Sequence, residues 1–177
     1  MKFYSGFSLK NEKHFFDAFL DDSVYCVAGF SYGAIKAFEY VKEQIENGKR
    51  VDRLQLLSPA FFQGRGEKFK RLQKISYSKN KDKYLSQFLK GCFSPYKGQD
   101  IELCETNLEE LQELLYFEWI LGALHSLESK GVVIEVYLGG QDYIIDPKAA
   151  KEFFTQTATV TYIKNANHFL QSNERKI

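Results

Sequence analysis

The chain has 177 residues, enough for one domain with its own core, and its 44% hydrophobic and 27% charged residues are an ordinary globular balance. A net charge of +1 excludes any strong electrostatic bias of the molecule as a whole. Three cysteines, odd in number and without Cys-x-x-Cys spacing, exclude a disulfide framework or a zinc site.

No apolar run approaches the roughly eighteen residues that span a bilayer, and the first residues lack the basic region and apolar core of a secretion signal. The expectation is a cytoplasmic protein with no membrane segment, metal or cofactor. Aromatic residues reach 16%, with sixteen Phe and eleven Tyr, which suits either a Phe-rich core or an apolar cavity.

In chain order, Lys2-Phe3-Tyr4-Ser5 ending at Gly6 reads as a strand and turn. Residues 11–20 place Phe15, Phe16, Phe19 and Leu20 on one helical face. Residues 24–28 form a buried strand closed by Gly29, and residues 31–44 carry apolar positions at helical spacing until Asn47-Gly48. A third strand spans 51–57. Residues 61–128 read as several helices, with breaks near Gly64-Arg65-Gly66, Gly91 and Ser94-Pro95. A strand at 132–138 follows, then a helix opened by Asp146-Pro147, and a last strand at 159–163 before Asn165-Ala166-Asn167-His168. This alternation predicts an α/β fold, a parallel sheet of about five strands flanked by helices. The whole chain, 1–177, reads as one domain with residues 62–128 as a helical lid insertion.

Gly29-Phe30-Ser31-Tyr32-Gly33 matches Gly-x-Ser-x-Gly, in which serine sits on a tight strand-to-helix turn and the glycines let backbone pass closely. A strand enters it and a helix leaves it, the context the pattern requires. A serine hydroxyl needs a base to become a nucleophile. Of three histidines, His14 and His125 fall in helical segments and suit surface or structural roles, whereas His168 follows the last strand in a loop. The acid should follow a neighbouring strand. Asp142, just past Gly139-Gly140, fits, while Asp146 is accounted for by capping the helix at Pro147. The order Ser31, Asp142, His168 is that of α/β-hydrolases. The backbone N–H of Tyr32 and, from the first strand-loop, of Phe7 are the expected oxyanion donors. Phe7, Phe30, Tyr32, Phe61 and Phe62 lie near the expected site and suit either core or pocket.

Between Phe62 and Lys97 stand ten basic residues against two acidic ones, a net of +8, while residues 100–118 carry seven acidic residues and no Lys or Arg. Such a patch fits a dock for an acidic partner or a plain solvated surface; no nucleic-acid-binding motif accompanies it, so nucleic acid is not expected.

Several segments recur together in one small family. They are Gly29-Phe30-Ser31-Tyr32-Gly33-Ala34-Ile35-Lys36-Ala37, Ser5-Gly6-Phe7, Leu56-Leu57-Ser58-Pro59, Phe69-Lys70-Arg71-Leu72-Gln73, Gly131-Val132-Val133-Ile134-Glu135-Val136 and Asn167-His168-Phe169-Leu170-Gln171. In these the chain resembles the short pimeloyl-acyl-carrier-protein methyl ester esterases of biotin synthesis, of the BioV type, over nearly its whole length. The resemblance implies a minimal α/β-hydrolase fold and hydrolysis of the methyl ester of a pimeloyl group held on acyl carrier protein. It implies Ser31 as nucleophile, Asp142 as acid and His168 as base, with Lys68, Lys70, Arg71 and Lys74 docking the acidic carrier. Ser5-Gly6 stands where the wider superfamily has His-Gly, and the strand usual between the oxyanion loop and the elbow is missing.

Overall fold

Five short runs of alternating or wholly apolar residues pair into one sheet in the computed structural model, which describes residues 1–172. They are β1 (Lys2–Tyr4), β2 (Cys26–Phe30), β3 (Arg53–Leu57), β4 (Val133–Gly139) and β5 (Thr159–Ile163). All neighbours are parallel, in the order β1-β2-β3-β4-β5. Register places Gly29 beside Tyr4 and Leu56, and Leu57 beside Phe30 and Tyr137. The carboxyl ends of the strands therefore meet at one rim, where ligands bind in such sheets.

Strand periodicity divides the side chains between two faces. Val27, Leu54, Leu56, Ile134, Val136 and Leu138 share a core with α1 (Tyr32–Glu46) and α6 (Pro147–Phe154). On the other face Phe30 and Leu57 pack with Phe16 and Phe169. That face also holds a polar network: Gln55 and Tyr137 donate to Glu135, which pairs with Arg53, and Arg53 reaches Asp21 at 2.9 Å. Between β3 and β4 lie α2 (Glu67–Lys79), α3 (Lys81–Phe93), α4 (Leu108–Tyr116) and α5 (Leu121–Ser129). Among the described residues no helix is long and apolar enough to cross a membrane.

Two expectations need correction. Residues 11–20 do not form an α-helix; only Glu12–Phe16 makes a short 3-10 turn. Gln55 ties the end of this stretch to β3, its side chain donating to Phe19 O at 2.9 Å and accepting from Asp21 N at 3.0 Å. Nor does Gly91 break the helical block. It lies inside α3, where an added Cβ would come 2.9 Å from Ile144 Cδ1, so the glycine admits a neighbouring loop. The break falls at Asn80, whose side chain accepts from Lys83 N as the N-cap of α3.

Candidate active site

Ser31 joins β2 to α1 with φ +53° and ψ −114°, a conformation that a non-glycine residue holds only when its surroundings impose it. The imposing contacts are plain. Ser31 N–H donates to Leu57 O at 2.9 Å, and Ser31 O accepts from Ala34 N and Ala60 N, each at 3.1 Å. A Cβ on Gly29 would stand 2.1 Å from Gly33 O, and one on Gly33 would stand 2.1 Å from Tyr4 O. Neither position can carry a side chain. The second contact seats the Ser5-Gly6-Phe7 loop directly on the start of α1.

The loops after β4 and β5 are stitched to one another. Gly140 N–H donates to Ile163 O and Gln141 N–H to Ala166 O, each at 2.8 Å. This brings Asp142 to His168: Oδ2 lies 2.5 Å from Nδ1, with both side chains wholly buried. The other carboxylate oxygen, Oδ1, accepts from Ile144 N at 2.7 Å and Ile145 N at 3.1 Å. On the far side of the ring, His168 Nε2 lies 3.1 Å from Ser31 Oγ. Three residues expected from sequence to act together are thus in one hydrogen-bonded line. Asp146 is elsewhere, capping α6 by accepting from Lys148 N and Ala149 N.

Such a line can pass a proton from an alcohol to an imidazole while a carboxylate holds the ring in the required tautomer. The two expected oxyanion donors flank it. The N–H groups of Phe7 and Tyr32 have no hydrogen-bond acceptor among the described residues, and Tyr32 N–H opens α1 at its positive end. The Tyr32 phenol turns away, donating to Glu113 Oε2 at 2.5 Å; burial and that carboxylate push it well above its usual range.

Ser31 lines a cavity of about 330 Å³ whose walls include residues of α2, α3 and α4. Phe7, Phe62, Phe69, Phe88 and Leu114 make its apolar walls. Gln73 accepts from the phenol of Tyr84, which burial pushes up to about 12. Of the other aromatics near the expected site, Phe30 packs beneath His168 at 4.9 Å and Phe61 packs on Phe153 and Phe154, both away from the cavity.

Two supports were not foreseen from sequence. Asn167 donates to Phe93 O at 2.8 Å and to Gln171 Oε1 at 3.0 Å, and accepts from Gln171 N at 3.0 Å, which fixes the His168 loop to the end of α3. The Tyr96 phenol donates to Asn165 O and contacts Gln141 Oε1, joining the His168 and Asp142 loops. The run of polar residues before His168 was the one available signal.

The basic residues separate into two groups. Lys68 and Arg71 are exposed on α2, beside Leu72 and Ile75, whose exposures are 51% and 49%. Lys70 is buried, and its Nζ stands 4.9 Å from the Tyr116 ring centre, with half-buried Lys74 at 4.8 Å from the same ring. Helical geometry explains the split, because positions 70 and 74 share the face that α2 turns to α4.

A parallel sheet with a serine elbow after its second strand, and an acid and an imidazole after its last two, is the α/β-hydrolase fold in a compact, minimal form. Solved structures share it. A putative hydrolase from Bacillus subtilis matches with a TM-score of 0.53 and 17% identity, over 84% of this chain and 55% of its own. BioG from Haemophilus influenzae matches at 0.54 and 10% identity, over 94% of this chain and 87% of its own. Carboxylesterase CesB from Bacillus subtilis matches at 0.51 and 16% identity, over 94% of this chain and 63% of its own. The chain thus spans about half the length of the first and most of BioG. No family model and no curated protein matches the sequence.

Proposed function

We propose that the protein is a serine esterase that hydrolyses the methyl ester of a pimeloyl chain carried on acyl carrier protein, within biotin synthesis. The observation that carries the reaction type is the continuous Ser31–His168–Asp142 line at 3.1 and 2.5 Å. The substrate rests on the sequence resemblance, supported by the apolar cavity above Ser31 and the basic face of α2.

Ser31 Oγ attacks the ester carbonyl carbon as His168 Nε2 takes its proton, and the carbonyl π electrons move onto oxygen. Phe7 N–H and Tyr32 N–H stabilise that oxyanion; one such donor is worth about 3 kcal/mol in the transition state. The intermediate collapses by breaking the bond to methoxide, which leaves as methanol with the proton from His168. Water, deprotonated by the same imidazole, then attacks the acyl-serine ester, releasing the free carboxylic acid and restoring Ser31. The buried Asp142 carboxylate stabilises the imidazolium in both halves.

Lys68 and Arg71, with Leu72 and Ile75 between and beside them, offer an acidic carrier both charge and apolar contact. Lys70 and Lys74 contribute potential from behind rather than direct contact. The helices of residues 62–128 act in this reading as a lid over the acyl chain.

The test is incubation with pimeloyl methyl ester on its carrier, read by product mass. The expected product has lost one methylene and remains on the carrier, and Ser31→Ala makes none. A product freed from the carrier would make the protein a thioesterase. Equal turnover of free and carrier-linked methyl esters would make it a general short-chain carboxylesterase. No turnover and no phosphonylation of Ser31 would leave a non-catalytic interaction module.

A further inference from the structure

Glu12 is a buried ionisable side chain that the reaction outlined above does not use. It is 0% exposed, yet no Lys, Arg or His forms an ion pair with it among the described residues. A buried carboxylate without a counter-ion carries a large desolvation penalty, so its contacts show what it does. Its Oε1 accepts from Gly6 N at 2.7 Å, and its Oε2 has no hydrogen-bond partner among the described residues. The carboxylate is therefore bonded to the backbone immediately before Phe7, and the Ser5 hydroxyl, its own backbone N–H and the charge of His14 also act on it.

We infer that Glu12 is a positioning residue whose buried carboxylate fixes the Ser5-Gly6-Phe7 loop so that Phe7 N–H faces the oxyanion formed at Ser31. This rests on the esterase reading above. The loop is held at both ends, and Phe7 stands between the holds. On one side Glu12 fixes the Ser5-Gly6 peptide plane. On the other, Ser8 O accepts from Cys104 N at 3.0 Å, Lys10 N donates to Glu102 O at 3.1 Å, and the Ser8 and Thr106 hydroxyls are hydrogen-bonded. Ser8 itself has φ +60°, a turn that such anchoring imposes.

The loop also lies against the reacting groups. A Cβ on Gly6 would meet Phe30 Cδ1 at 2.8 Å, and that ring is 4.9 Å from the His168 ring. Phe7 lines the same cavity as Ser31, and its N–H has no acceptor among the described residues. Rotation of the Ser5-Gly6 peptide would carry the following N–H away from that point. Burial raises the Glu12 carboxyl above its ordinary range, opposed first by the Gly6 N–H.

The experiment compares wild type with Glu12→Gln, Glu12→Asp and Glu12→Ala on p-nitrophenyl butyrate. Thermal melting shows which variants fold. Wild-type turnover and labelling of Ser31 by a fluorophosphonate test the esterase reading alone; the variants' rates relative to wild type test Glu12. Gln keeps an acceptor at the same reach and is expected to hold kcat within about threefold. Ala removes the acceptor and Asp withdraws it, so each is expected to lose about a hundredfold in kcat, the effect of one misdirected oxyanion donor, with KM unchanged. Should Ala not fold, Asp and Gln decide the matter. A folded Ala or Asp variant losing less than tenfold, a loss carried by KM, or a Gln variant as impaired as the others would overturn the proposal.

Discussion

Replacing Asp142 by Asn isolates the charge from the shape of the site. Oδ1 accepts from Ile144 N and Ile145 N at 2.7 and 3.1 Å, so Asn must place its amide oxygen there and turn its NH2 group to His168. Facing a donor, Nδ1 becomes an acceptor and the ring proton moves to Nε2, which can then no longer take the proton of Ser31. The charge is lost as well. An imidazolium and a carboxylate at the observed 2.5 Å attract by about 6–7 kcal/mol at an effective dielectric of about 20. The Asn dipole returns part of this, and in serine-protease triads the same replacement lowers kcat about 10⁴-fold, or roughly 5.5 kcal/mol. Asp142→Asn is therefore expected to lower kcat by about 10³–10⁴ with KM nearly unchanged. Because both backbone bonds persist, melting should change by less than about 1–2 kcal/mol. Steady-state kinetics on a soluble ester and a thermal melt suffice. A folded variant keeping a tenth of wild-type kcat would refute the role given to the carboxylate.

Other consequences can be measured on the same preparations. Asn167→Ala leaves Phe93 O without its buried donor and frees the His168 loop; it should cost about 1–3 kcal/mol in denaturant unfolding and lower kcat about tenfold or more. Cys104 is exposed, whereas burial pushes the Cys26 thiol up to about 11 and holds buried Cys92 well above its usual range. Ellman's reagent at about pH 8 should therefore react with one thiol in the native protein and with three after unfolding. Burial also raises the Glu12 carboxyl, so the folded state binds that proton more tightly than the unfolded chain. Stability attributable to it falls as pH rises from the ordinary glutamate range through the raised value. Glu12→Gln should accordingly melt progressively higher relative to wild type as pH rises above the ordinary glutamate range, and a constant difference would contradict a raised Glu12 carboxyl.

What sequence made legible was local. Five strands could be placed because each is a short apolar run bounded by turn residues. The elbow could be placed because an apolar strand pattern enters Gly29-Phe30-Ser31-Tyr32-Gly33 and a helical pattern leaves it, a setting that an ordinary glycine-rich turn does not require. Asp142 and Asp146 were separable because helix capping has its own signature at Pro147. Other features are set by contacts between distant segments and leave no periodic trace. Gln55 ties the segment after Phe16 to β3 through Phe19 O and Asp21 N. Gly91 reads as a break but is an accommodation for Ile144. Lys70 reads as one more surface lysine until α4 is placed beside it. Glu12, Asn167 and Tyr96 act by fixing loops from 6, 74 and 69 residues away, a relation no spacing announces.

Esterase activity at this site requires Ser31 to be made reactive by His168. Treating the native protein with a fluorophosphonate and mapping the adduct by peptide mass tests that directly. The structure predicts one adduct, on the peptide containing Ser31, absent in Ser31→Ala and strongly slowed in His168→Ala. An unlabelled protein, or an adduct on another serine, would contradict it.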